Sequence, residues 1–198
     1  MHTLLKPIKV REDLLRRKMR IFTGREFMRV FPVPDYVAKY FLETQVHGGL
    51  FMRLKRGLYA LQTDPPAEEE IANAIYKPSY ISFEYALSYY HVIPETVYTV
   101  TSTTTKATRV FSVGHTAFSY RSIKTESYTG YTLQTQANKI FLIAEPEKAL
   151  VDYLYFVTLK KSPDNERFVL TGLNAKKIRE YASLFRWEPL NRRIRSLL

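Results

Sequence analysis

The chain of 198 residues contains no cysteine. That absence excludes disulfides, thiolate zinc sites, iron-sulfur clusters and a thiol nucleophile together, and it suits a reducing compartment. Acidic residues are scarce as well: 19 Asp and Glu stand against 30 Lys and Arg, leaving a net charge of +11 and an isoelectric point of about 9.7. With 7 Gly and 10 Pro the chain is neither collagenous nor of low complexity, and 15 Tyr with 12 Phe are too many for a disordered segment. Long apolar runs are missing too. Stretches such as Ile140 to Ala144 have strand length, far below the roughly 20 residues of a membrane span. The opening Met1-His2-Thr3-Leu4-Leu5-Lys6-Pro7 lacks the charged-then-apolar pattern and small-residue cleavage site of a signal peptide. A cytoplasmic protein with no membrane partner is therefore expected. Its 45% apolar content supports one ample domain or a small module joined to a medium one.

The positive charge is uneven. Residues 1–62 hold 13 Lys and Arg against 5 acids, residues 63–158 hold 7 against 10, and residues 159–198 hold 10 against 4. Two basic ends flank a slightly acidic middle rich in Tyr and Thr, a pattern that points to a polyanionic partner contacted by the ends.

Strong helix formers with Leu14, Leu15, Met19 and Phe22 at amphipathic spacing predict a first helix over residues 11–20. Thr23-Gly24-Arg25-Glu26 has the form of a capping box opening a second helix, from Gly24 to about Phe31. Pro32-Val33-Pro34 ends it. A third helix is expected from Pro34 to about Gln45, with Val37, Ala38, Phe41 and Leu42 as its apolar stripe and Asp35, Tyr36, Lys39, Tyr40 and Glu43 facing away. Gly48-Gly49 closes it as a glycine cap. Residues 50–61 then predict two short β segments around an Arg56-Gly57 turn, with basic residues alternating along the first.

Three helices and a basic hairpin predict a winged helix-turn-helix. In that arrangement the third helix offers Tyr36, Lys39 and Tyr40 to base edges of double-stranded DNA, while Arg53, Lys55 and Arg56 reach phosphates or the minor groove. The same spacing also allows Tyr36 and Tyr40 to be buried. The alternative is a winged-helix interaction module that grips a protein and binds no DNA, its cations being solvated surface.

Beyond residue 62 the pattern predicts a helix from Ala67 to Tyr76 opening on three acids, Glu68 to Glu70, and packing through Ile71, Ala74 and Ile75. After Pro78 a second helix, capped by Ser82, runs to about Tyr90. Val97 to Thr135 predicts about four antiparallel strands, and Lys139 to Ala144 one more. A helix starts at Glu145-Pro146-Glu147, with Ala149, Leu150, Tyr153 and Leu154 on one face. Asn174 caps another to about Leu184. The last forty residues carry Lys176, Lys177, Arg179, Arg192, Arg193 and Arg195, a candidate second phosphate-contacting surface. The fold class predicted is α+β: a winged helix-turn-helix over 1–62, then a mixed α/β domain over 63–198 with an antiparallel sheet and C-terminal helices.

Three segments in this order, Leu54-Lys55-Arg56-Gly57-Leu58-Tyr59, Lys77-Pro78-Ser79-Tyr80-Ile81-Ser82-Phe83-Glu84-Tyr85-Ala86-Leu87 and Ile143-Ala144-Glu145-Pro146-Glu147-Lys148-Ala149-Leu150-Val151-Asp152, make the chain resemble the AbiEi family of antitoxins from type IV, abortive-infection toxin-antitoxin systems. The resemblance covers roughly residues 20–160 and departs from the family at Pro32-Val33-Pro34. It implies a repressor of its own operon acting at promoter repeats. It also implies a neighbouring nucleotidyltransferase-like toxin that the antitoxin counters without a stable complex.

No enzyme is expected. His2, His47, His91 and His115 have neither a Cys partner nor metal-ligand spacing, and no HExxH, GxSxG or Walker pattern occurs. Glu145, Glu147, Lys148 and Asp152 superficially match the acid-and-lysine cluster of metal-dependent nucleases. Helix-terminal acids and a one-turn ion pair between Lys148 and Asp152 explain them better. No catalytic residue, metal or cofactor is assigned.

Overall fold

A computed structural model describes residues 5–136 and 139–198. The chain is a mixed α+β protein that divides into two compact units, Met1–Ala67 and Glu68–Leu198, five residues beyond the boundary expected from sequence.

In the first unit the order is α1 (Pro7–Arg16), β1 (Ile21–Thr23), α2 (Gly24–Val30), α3 (Asp35–His47), β2 (Phe51–Lys55) and β3 (Leu58–Leu61). Helix α1 starts four residues earlier than its apolar spacing predicts. Pro7 takes its first turn, where the missing N–H costs nothing. It stops at Arg16 and the chain turns through Lys18 at φ 53. Phe22 therefore sits on β1, fully buried, not on the helix. This strand escapes detection because three residues carry no periodicity. It is held by antiparallel pairing with β3, in a sheet of order β1-β3-β2.

The capping box forms as expected: the Thr23 hydroxyl accepts from Glu26 N–H at 3.2 Å and the Glu26 carboxylate accepts from Thr23 N–H at 2.7 Å. The end of α3 is a Schellman motif. Gly49, at φ +77, lets Leu50 N–H reach the Gln45 carbonyl at 3.0 Å and its own N–H reach Val46 at 3.3 Å. Phe22, Phe27, Phe41 and Phe51 interlock in the core, with centroids of Phe22 and Phe51 at 5.2 Å edge-on.

The second unit runs α4 (Glu68–Ile75), β4 (Ser79–Ile81), α5 (Phe83–Tyr89), β5 (Val100–Thr104), β6 (Arg109–Val113), β7 (Thr116–Ser122), a 3₁₀ turn (Thr125–Ser127), β8 (Tyr131–Gln136), β9 (Lys139–Ala144), α6 (Pro146–Thr158), α7 (Ala175–Leu184) and α8 (Glu188–Leu197). The six strands form one sheet of order β6-β7-β5-β4-β9-β8. Two of its pairings, β5 with β7 and β4 with β9, are parallel, where an antiparallel set is expected. The inserted β4 separates β5 from β9. Its three residues are all buried and show no alternation that sequence inspection can detect.

Because β4 meets β9 only at Ile81 and Ile143, part of the β9 edge has no strand beside it among the described residues. Helix α4 supplies the missing partners. The Glu70 carboxylate accepts from Ile140 N–H at 3.3 Å, and the Asn73 amide accepts from Leu142 N–H at 2.5 Å and donates to its carbonyl at 3.3 Å.

Ser82 precedes α5 but its hydroxyl does not cap the helix. It donates to Asp152 at 2.7 Å. Thr101, from β5, takes over that role, accepting from Tyr85 N–H at 3.2 Å while donating to the Ser82 carbonyl at 2.7 Å.

Helix α6 is buried nearly all round, from Glu147 through Leu154, rather than on one stripe. At its centre Lys148 and Asp152, one turn apart, form an ion pair with neither side chain exposed. The second Asp152 oxygen accepts from Ser82, and from the hydroxyls of Tyr80 and Thr103 at 3.2 Å each. Tyr80 and Thr103 are register partners on β4 and β5, so the sheet delivers both hydroxyls to one point. Burial pushes the Lys148 ammonium down and the adjacent Asp152 carboxylate opposes that shift.

Asp152→Ala, which leaves a buried ammonium unpaired, should cost about 3–5 kcal/mol of unfolding free energy in urea titration. The double variant Lys148→Met with Asp152→Asn, which keeps an acceptor for the hydroxyls, should be more stable than Asp152→Ala. A double variant no more stable than Asp152→Ala would contradict this coupling.

Candidate nucleic-acid interface

In α3 the apolar stripe turns Ala38, Phe41 and Leu42 into the core and leaves the opposite face to solvent. Tyr36 and Tyr40 stand 68% and 75% exposed, so the spacing that permits burial is not used for it. Lys39 lies between them and pairs with Asp35 at 2.6 Å, one turn back. The β2–β3 hairpin closes through Arg56-Gly57, with Gly57 at φ +76. Arg56 is exposed at the turn.

Arg53 is not free as the sequence pattern suggests. Its guanidinium is paired with Glu43 of α3 and lies over the Tyr59 ring at 5.9 Å, while Tyr59 donates to the same Glu43 oxygen at 3.2 Å. Burial, reinforced by Glu43, raises the Tyr59 phenol above its ordinary range. Lys55 ends β2, half-buried, beyond a register shift between Arg53 and Lys55. The strand irregularity thus separates the three hairpin cations into different settings.

The first unit carries 13 Lys and Arg against 6 acids. Among the described residues Arg25 and Arg29 of α2, and Lys9 and Arg17 of α1 and its end, are exposed and pair with no carboxylate. The amphipathic pattern of the third helix and hairpin does not point to these four, although Arg25 and Arg29 sit one turn apart.

Of the six C-terminal cations, four are engaged inside the second unit. Lys176 pairs with Glu180 at 3.9 Å, Lys177 with Glu145 at 2.8 Å, Arg193 with Asp164 at 3.1 Å and Arg195 with Glu188 at 2.5 Å. Only Arg179 and Arg192 of the six are exposed and form no salt bridge among the described residues, and Arg192 still lies close enough to help Arg195 hold the Glu188 carboxyl down. Most of this cluster's charge is locally compensated, which sequence spacing could not reveal because three of the four acids lie seven or more positions away.

The acid-rich segment at the start of α6 has a structural employment. Asn174 caps α7 with its side chain, and its backbone N–H donates to Glu147 at 3.0 Å. Glu145 accepts from Lys177 and from Tyr181 at 3.0 Å. The Lys177 ammonium holds the Glu145 carboxyl below the usual range, and partial burial works against it. Gly130, at φ +73, admits this docking: a Cβ there would lie 2.7 Å from the Tyr181 ring. His47, His91 and His115 are each exposed on separate segments, and His2 lies outside the described residues. Among the described residues no three His, Asp or Glu converge as a metal set, and no helix is long and apolar enough to cross a membrane.

No family model and no curated protein matches the sequence.

Because its folded pKa is depressed, Glu145 stabilises the fold above its unfolded pKa, and that contribution is lost as pH falls through the folded value. Chemical denaturation from pH 7 down to about pH 3 should therefore show a shallower acid loss in Glu145→Gln than in the unmodified chain. Identical slopes would remove the pair from the acid response.

Proposed function

We propose that the protein is a cytoplasmic DNA-binding repressor of its own promoter and the antitoxin of a type IV toxin-antitoxin pair, with an N-terminal winged helix as the DNA-binding module. The observation that carries the DNA half is the α3 surface: Tyr36 and Tyr40 exposed at 68% and 75% with Lys39 between them, in a unit ordered helix, strand, helix, helix, hairpin. This order supports a winged helix in which α3 enters the major groove and the Arg56 turn meets the backbone or minor groove. Exposed cations on α1 and α2 extend the phosphate-contacting set to Lys9, Arg17, Arg25 and Arg29.

The antitoxin half rests on the AbiEi resemblance. Two of its three segments meet in one place, since Tyr80 and Ser82 of the second segment bond Asp152 of the third. The two segments therefore share one buried, hydrogen-bonded core. The partner is a nucleotidyltransferase-like toxin encoded nearby, countered without a stable complex. Growth arrest by that toxin should be relieved on co-expression of the chain and persist with Asp152→Ala, whose core is broken.

A second reading has a specific observation behind it. Two exposed tyrosines on one helix face equally suit a protein interface, and Lys39 and Arg53 are already paired internally. Recovery of a stoichiometric protein partner with no DNA shift selects it.

Anisotropy titrations with upstream promoter DNA separate the two. Neutralising about six phosphates predicts a slope of log affinity against log salt near −5. Arg25→Ala, Arg29→Ala and Arg56→Ala should weaken binding to specific and random DNA alike, each flattening the slope by about 1, whereas Tyr36→Ala and Tyr40→Ala should change the preference among sites. Glu43→Gln, which releases Arg53, should strengthen binding and steepen the slope. Absent or salt-indifferent binding overturns the proposal.

A further inference from the structure

The sheet of the second unit opens between β4 and β9. A groove of about 570 Å³ is lined there by Tyr128, Tyr131, Leu133, Ile140, Lys77 and Ser79, among others, a volume in the range of small-molecule sites. It exists because β4 and β9 pair only at Ile81 and Ile143, so the chain on the Ser79 side diverges from the strand beside it.

Three properties of the lining specify a ligand. The wall is apolar and partly solvent-facing: Leu133 is 62% and Ile140 56% exposed. Both lie on one face of the β8–β9 hairpin, since Leu133 pairs with Leu142 and Thr135 with Ile140. Next to them Tyr131 stacks on Tyr80 at 4.6 Å and meets Tyr128 at 5.5 Å. That preformed aromatic group is one a further flat ring can extend. Lys77 is exposed and pairs with no carboxylate among the described residues.

We propose that this groove binds a small planar aromatic anion, its ring against Tyr131, Leu133 and Ile140 and its negative group toward Lys77. Nothing in the DNA-binding proposal requires the site, and neither depends on the other. The basic first unit attracts anions in general, so the aromatic ring and the groove variants carry the discrimination.

Indole-3-carboxylate, with neutral indole as the comparison, is titrated into the full chain and followed by ligand-observed NMR and calorimetry. Saturable binding with Kd below about 1 mM is expected, weaker for indole. Leu133→Glu, at an exposed position that leaves the fold intact, should abolish it by placing a carboxylate in the groove. Lys77→Ala should weaken binding about fivefold and erase the preference over indole. No saturation up to about 5 mM, or an affinity unchanged in Leu133→Glu, overturns the proposal.

Discussion

An ammonium and a carboxylate removed wholly from water form the constraint around which the second unit is arranged. Taking Lys148 and Asp152 out of solvent is costly, and their mutual attraction offsets that cost only if the remaining carboxylate valences are filled. Three hydroxyls fill them, all converging on one oxygen of Asp152. Two come from β4 and its end and one from β5, so the carboxylate's remaining valences are filled only when those strands are in register. Above the pair lie the rings of Phe185, 4.9 Å from the Lys148 nitrogen, and Tyr80, at 5.8 Å, which add cation–π attraction to an ammonium with few other partners. Sheet, α6 and the segment after α7 are thereby tied to one point.

The same helix positions α7. Glu145 and Glu147 flank Pro146 at the N-terminus of α6, and each holds part of α7. Residues that look like paired acids for metal chemistry are thus acceptors for a neighbouring helix, and the lysine beside them is a core residue. The first unit works by different means. Its core is a cluster of phenylalanines, and the polar side chains are left to the surface. There, ion pairs such as Arg53 with Glu43 and Lys39 with Asp35 decide which cations remain available to a polyanion. Net charge alone overstates the basic surface of both units.

Local devices were readable from the sequence. Thr23 and Glu26 form their reciprocal cap, Gly49 ends α3, Gly57 turns the hairpin and Asn174 caps α7, each within a window of about four residues. Strands β5 to β9 match the Val, Thr, Tyr and Phe composition. Beyond α8, for which the sequence pattern raised no helix, what was not readable is short or non-local. Strands β1 and β4 have three residues each and exist only through their neighbours. Ser82 has the residue type of a helix cap, yet its hydroxyl goes to Asp152, 70 positions away, while Thr101 serves the helix. For the candidate interface, the exposed tyrosines are a consequence of helical periodicity. The pairing of Arg53, Lys177 and Arg193 with acids distant in sequence is not.

Composition and spacing therefore determined most of the helices, the caps at Thr23, Gly49 and Asn174, the positive charge at both ends and the α+β class, because those depend chiefly on neighbours three or four residues apart. Tertiary structure decided which charges are neutralised and which are buried, which strands run parallel, and where the sheet opens at Ser79. Those outcomes depend on groups separated by tens of residues, which only the packed chain brings within hydrogen-bonding distance, where desolvation makes an unpaired group too costly to keep.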